Sequence, residues 1–115
     1  GWRSKGDTLQ ALRAHAPENP LASPGTADLT AHVDFEALAL ALAPLAVSPL
    51  LGQGALLQRL GIATRAARLA EGLIGPARQS HLAATRRLTH GGEMGTVFKA
   101  LAARRRGAPP VPGFD

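Results

Sequence analysis

The sequence predicts an α/β chain, and three observations carry that expectation. Residues 28–34 (Asp-Leu-Thr-Ala-His-Val-Asp) alternate at the two-residue period of a strand. Residues 35–43 join strong helix formers, Ala and Leu, behind an Asp at the position that caps helices. Residues 54–88 then carry three helical stretches separated by Gly61 and by Gly75-Pro76.

Taken in order, residues 1–6 (Gly-Trp-Arg-Ser-Lys-Gly) read as a loop. Residues 8–13 alternate imperfectly and lean to strand. Pro17, Pro20 and Pro24, with Asn19, Ser23 and Gly25, make residues 16–27 an irregular excursion. In the strand at 28–34, Leu29, Ala31 and Val33 would face a core, and Asp28, Thr30, His32 and Asp34 the opposite side. Asp34 then caps a helix over Phe35–Ala43, with Glu36 suited to the positive end of its dipole and Pro44 as its stop. Apolar on nearly all sides, that helix should be buried.

Residues 45–50, with Val47 and Pro49, suit a short edge strand. A helix over 54–60 should stop at Gly61 in the left-handed conformation, with Ile62 packing back on its last turn. Thr64 could cap a helix over 65–73, and Pro76 could open another over 76–88, closed by Thr89-His90-Gly91-Gly92. Residues 96–101 read as a last strand, and Arg104-Arg105-Arg106 with Pro109, Pro110 and Pro112 as a solvated tail.

Composition excludes several functions. The absence of Cys rules out disulfides, thiolate metal sites and cysteine nucleophiles, and suits a reducing compartment. Aromatics are 3% of residues, so stacking platforms for single-stranded nucleic acid are lacking. The net charge of +5 is scattered except for residues 104–106, the pattern of a solvated surface, so no nucleic-acid partner is expected. The apolar run 37–51 is interrupted by Pro44, Ser48 and Pro49 and is shorter than the ~20 residues of a membrane span. No membrane partner is expected, and no signal peptide is evident in an opening of Gly-Trp-Arg-Ser-Lys. A first residue that is Gly and not Met suggests processing or a piece of a longer chain.

The candidate site is Asp28, His32 and Asp34. On a straight strand Asp28 and Asp34 are too far apart for a carboxylate dyad, but His32 and Asp34 are near neighbours. That pair could orient a cationic or hydrogen-bonding substrate; equally, Asp34 could be a cap only and His32 a solvent-facing residue. The spacing of His15, His32, Asp34, His81 and His90 imposes no metal-ligand pattern, and none is assigned. Ser4, Ser23, Ser48 and Ser80 lack the glycine-flanked turn of a serine nucleophile. Gly52-Gln53-Gly54 imitates a dinucleotide loop but has Leu57 where the third glycine belongs, and Glu71 lies within a helix. His81, on an apolar helix face, suits a boundary position better than a ligand role.

Several motifs occur in one order: Gly6-Asp7-Thr8-Leu9-Gln10-Ala11, residues 28–35, Gln53-Gly54-Ala55-Leu56-Leu57, Leu60-Gly61-Ile62, Arg87-Leu88-Thr89, residues 94–101 (Met-Gly-Thr-Val-Phe-Lys-Ala-Leu) and Pro112-Gly113-Phe114. Together they resemble the C-terminal part of the MidA-type S-adenosylmethionine-dependent methyltransferases, which include the mitochondrial complex I assembly enzyme. The resemblance implies the C-terminal portion of a class I, Rossmann-like fold with a mostly parallel seven-stranded sheet. Residues 45–50 and 96–101 would be its last two strands, 7–27 an insertion near the active-site mouth, and 1–103 the methyltransferase segment before a basic, Pro-rich tail at 104–115.

It further implies transfer of a methyl group from S-adenosyl-L-methionine to an arginine side chain of a protein substrate, with Asp28, His32 and Asp34 on the substrate side. The location would be cytoplasmic in a bacterium and mitochondrial in a eukaryote. The family's glycine-rich cofactor loop and ribose-binding acid lie upstream of anything in this sequence, so the central cofactor-binding half is missing and the isolated segment should be inactive. The rival reading is a non-catalytic helical interaction module.

Overall fold

A computed structural model describes residues 8–115, which fall into two compact units, one ending at Ala43 and the other spanning Pro44–Asp115. The loop expected at residues 1–6 lies outside the described residues.

The first unit is a small antiparallel sheet followed by a helix. Strands β1 (Gln10–Arg13), β2 (Ala16–Glu18) and β3 (Asp28–Thr30) lie in the order β2-β1-β3, and α1 (Phe35–Ala41) follows. The expected irregular excursion is corrected at its start, because Ala16–Glu18 returns along β1 as a hairpin, with Arg13 opposite Ala16 and Leu12 opposite Pro17. Pro17 is tolerated because β2 is an edge strand, where a missing N–H need not interrupt a ladder. Beyond it the chain stays irregular: Asn19 Oδ1 accepts from Leu21 N, and Ser23 O accepts from Thr26 N.

Strand β3 is shorter than the alternation suggested. It ends at Thr30, and Leu29 and Val33 are 61% and 54% exposed, so the expected core face is an open one. Among the described residues of this unit only Ala11, in the central strand, is fully buried. Helix α1 begins where expected and ends near the expected place, with Leu42 as C-cap. The expectation that it is buried is overturned: none of its residues is buried, and Leu40 is 71% exposed. An Ala/Leu composition fixes a helix through local propensity, but burial requires another element to cover it.

In the second unit, strands β4 (Ala46–Val47) and β5 (Leu51–Gly52) pair antiparallel with β7 (Ala103–Arg104) and β6 (Lys99–Ala100) respectively. Between these two ladders run α2 (Gln53–Arg59), α3 (Ile62–Ala70), α4 (Gly75–Thr89) and α5 (Met94–Val97). The helical block is thus an excursion between the two arms of one interrupted ribbon. The strand expected over 96–101 is corrected to the short α5 followed by β6, and that over 45–50 shrinks to β4. All strand pairs among the described residues are antiparallel.

Gly61 is left-handed, as expected, but it also serves as N-cap of α3, which starts at Ile62. Thr64 is therefore inside the helix and is not its cap. Helix α4 has Pro76 at its start and ends at His90, close to expectation. The helices pack through small residues. Ala66 and Ala70 of α3 are buried, and a Cβ added at Gly54 or Gly95 would run into the Thr89 carbonyl at the end of α4. The basic run is not wholly solvated, because Arg104 is half-buried in β7 and its Nη1 donates to the Ala108 carbonyl. Gly113 is buried, and Arg59 Nη1 donates to its carbonyl at 3.3 Å.

Candidate functional site

The segment 28–34 takes its position from the pairing of β3 with β1, which sets Leu12 opposite Asp28 and Gln10 opposite Thr30. Two residues further in the same register, Thr8 would stand opposite His32. Instead of a backbone ladder bond, the His32 N–H donates to Thr8 Oγ1 at 3.2 Å. Thr8 is the residue that sequence reasoning missed. A hydroxyl in an imperfectly alternating stretch carries no sign of a partner 24 residues away, so only the β1–β3 register exposes its part.

Past His32 the chain turns into α1, with Asp34 as N-cap. Asp34 Oδ1 accepts from Glu36 N at 3.1 Å and from Ala37 N at 3.0 Å, the two-donor geometry of a good cap. Both bonds fall on one oxygen, so Oδ2 makes no hydrogen bond among the described residues.

Asp28, His32 and Asp34 are all exposed. The expected single strand face holds only from Asp28 to Thr30, so the three do not lie on one continuous pleat. They share a short segment in which Asp28 is held by the sheet, His32 by Thr8 and Asp34 by the helix start. Chemically this is an accessible, acidic surface that could accept hydrogen bonds from a cation such as a guanidinium.

Elsewhere, Gly52-Gln53-Gly54 stands at the junction of β5 and α2, the place where a phosphate or cofactor cradle would be sought. It is filled by packing: a Cβ on Gly52 would lie 2.8 Å from the Gly95 carbonyl, and Gln53 Nε2 donates to Leu88 O at 3.0 Å. His81 is half-buried with Nε2 3.0 Å from Ala66 O, a bond that ties α4 to α3. Among the described residues no three His, Asp or Glu side chains gather as a metal site would require. No helix among them is long and apolar enough to cross a membrane.

Comparison with known proteins bears on this arrangement. Residues 2–49, which include the segment 28–34, match the family described as "Putative S-adenosyl-L-methionine-dependent methyltransferase". An uncharacterized protein from Burkholderia thailandensis, solved in its native form, superposes with a TM-score of 0.74 at 28% identity. That similarity covers 96% of this chain and 30% of that one. A second structure from the same organism, bound to S-adenosyl-homocysteine, gives a TM-score of 0.72 at 29% identity over 96% of this chain and 29% of its own. These matches support a methyltransferase family for the chain. No curated protein matches. The chain spans about three-tenths of the length of these solved relatives. The expected mixture of helices and strands agrees with them, and the S-adenosylmethionine dependence of the matched family agrees with the cofactor expected from the resemblance.

Proposed function

We propose that these residues are the closing segment of a MidA-type methyltransferase with a class I, Rossmann-like fold, which transfers a methyl group to arginine side chains of a protein in respiratory complex I assembly. The observation that carries the reading is the family match at residues 2–49, which include the segment that positions Asp28, His32 and Asp34. The relative with S-adenosyl-homocysteine bound lends it support.

S-adenosyl-L-methionine supplies the methyl group in such a reaction, and the residues described here do not fit it as a cradle. Their glycine pair at a strand–helix junction, Gly52 and Gly54, is filled by packing against Gly95 and Thr89. In this reading the cofactor is held mainly by the other seven-tenths of the length seen in the solved relatives. The part of this chain is substrate placement. Asp34 Oδ2 would accept a charge-assisted hydrogen bond from a guanidinium, fixing its nitrogen in the line of transfer, and Asp28, further along the segment, would add negative charge to the same surface. His32, held through its backbone by Thr8, would border the same surface. Residues 7–27, which include the β1–β2 hairpin, would form the mouth of the site.

The test uses a longer polypeptide that includes these residues, with isotope-labelled S-adenosylmethionine and arginine-containing proteins of complex I. Methylarginine detected by mass spectrometry is the expected result. Absence of cofactor binding by that polypeptide, or methylation confined to other side chains, would refute the proposal. Titration of S-adenosyl-homocysteine into the 115-residue chain should show no binding, while the longer polypeptide should bind it.

A further inference from the structure

A groove of about 400 Å³ runs along the second unit, bounded by α2, α3 and α4. Its volume lies within the roughly 300–1,000 Å³ of small-ligand clefts. One wall is the row Ile62, Arg65, Ala66 and Leu69, and the other is His81, Ala84, Thr85 and Leu88. Each row has the spacing i, i+3, i+4, i+7, which is one face of a helix. Two such rows side by side form the seat that a further helix occupies when it packs ridges into grooves. Leu60, which also lines the groove, is 54% exposed and Leu69 51%, so the apolar floor is open among the described residues.

The polar groups of the walls are already partnered. His81 Nε2 is bonded to Ala66 O, and Thr85 Oγ1 donates to His81 O at 3.0 Å. The charged group in the lining is Arg65, which makes no ion pair among the described residues. No Asp or Glu lines the groove. The helices that carry it, over residues 53–97, contain Arg59, Arg65, Arg68, Arg78, Arg86 and Arg87 against Glu71 and Glu93 alone. An occupant must therefore be apolar where it meets the floor and acidic at its edge. A second copy of this chain would bring like charges together, which opposes pairing.

We propose that this groove docks an acidic amphipathic helix of a partner protein, which seats two or three apolar side chains between α3 and α4 and sets a carboxylate against Arg65. Binding of this kind places i, i+3, i+4, i+7 anchors in a preformed groove. Its residues are all outside the segment 28–34, so the proposal stands apart from the methyl-transfer reading.

The test is selection of 16-residue peptides from a random library on the 115-residue chain, followed by fluorescence anisotropy with the selected peptides. The expected enrichment is apolar residues at helical spacing flanked by Asp or Glu. Arg65→Glu should weaken binding at least tenfold, and replacing the peptide's acids by Lys should restore it to that variant. Leu69→Asp should abolish binding. Both side chains are exposed, so circular dichroism should be unchanged; if either variant unfolds, Ala84→Glu on the opposite, exposed wall replaces it. The proposal is overturned by enrichment without acidic residues, or by no enrichment. It is overturned equally by binding indifferent to these variants, or by self-association that Leu69→Asp abolishes. Binding of oligonucleotides or anionic vesicles that competes equally well, or loss of peptide binding in a longer polypeptide whose own residues fill the groove, would overturn it too.

Discussion

Ser48 holds the two arms of the ribbon together at a point where the backbone does not. Between Val47 and Leu51 the first arm has Ser48, Pro49 and Leu50, while the facing arm has only Leu101 and Ala102. That extra residue is a bulge, and Pro49 has no N–H with which to bridge it. Ser48 N donates to Ala102 O at 2.8 Å, and Ser48 Oγ accepts from Ala102 N at 2.9 Å, so the hydroxyl replaces the missing backbone acceptor. Ser48→Ala leaves a half-buried N–H without its acceptor and should cost about 1–2 kcal/mol. The measurements are the urea midpoint and the exchange rate of the Ala102 amide; an unchanged rate would assign that amide another acceptor. Asp34 presents a different problem, because a cap and a substrate-binding acid need the same carboxylate. Asp34→Asn keeps the capping oxygen and removes the charge, whereas Asp34→Ala removes both and should destabilise α1 by about 1 kcal/mol. If Asp34 contacts substrate, both variants lower methyl transfer in the longer polypeptide and leave cofactor affinity unchanged. A role as cap alone predicts that Asn restores full turnover.

At the scale of elements, local preference and packing pull in opposite directions at two places. The β1–β2 turn has Ala14 and His15 at φ of 49° and 65°, the left-handed values that a two-residue type I′ turn demands at both positions. Asn and Gly suit those positions best, so the double variant Ala14→Asn, His15→Gly should stabilise the hairpin. The expected gain is roughly 0.5–1 kcal/mol in thermal or urea unfolding, the relief of left-handed strain outweighing the freedom glycine adds to the unfolded chain. Gly54 is the reverse case. Replacing a glycine inside a helix by alanine ordinarily gains about 1 kcal/mol, but here the new methyl group would meet the Thr89 carbonyl. Overpacking typically costs about 1–3 kcal/mol, so Gly54→Ala should lower the melting temperature and not raise it. A raised melting temperature would mean that α2 and α4 can separate without loss.

At the scale of the molecule, burial is the decisive quantity. The buried apolar residues are Ala11, Ala66 and Ala70, and no large side chain is fully enclosed among the described residues. Burying a Leu fully is worth about 1.5–3 kcal/mol, and the exposed leucines of α1, Leu38 and Leu40, forgo much of that. The 115-residue chain should therefore bind a hydrophobic dye and unfold with a shallow, weakly cooperative transition. A longer polypeptide containing it should show less dye binding and a sharper transition. Equal dye binding per chain in both would show that those leucines stay exposed.

Much of the helical part was legible in the residues themselves. Gly61, Gly75-Pro76 and His90-Gly91 punctuate the helices, and a terminating glycine or an opening proline acts through its own backbone geometry. Asp34 as N-cap was legible for the same reason. The β part was not. Pro17 belongs to β2 because that strand lies at an edge, the alternation of 28–34 outruns β3, and the ribbon joins residues some fifty positions apart. Strand pairing is a relation between distant segments, and alternation marks only the chance of it.

By itself the sequence determined the cap at Asp34, the breaks at Gly61 and Gly75-Pro76, and the absence of thiol chemistry, because propensities, caps and composition act within a few residues. Only the tertiary structure decided that Thr8 holds His32, that Ser48 bridges the bulge, that Gly52-Gln53-Gly54 is a packing joint, and that α3 and α4 leave a basic-edged groove open. Each of those depends on which distant backbone or side chain arrives opposite a residue, and long-range register is fixed only when the whole chain has folded.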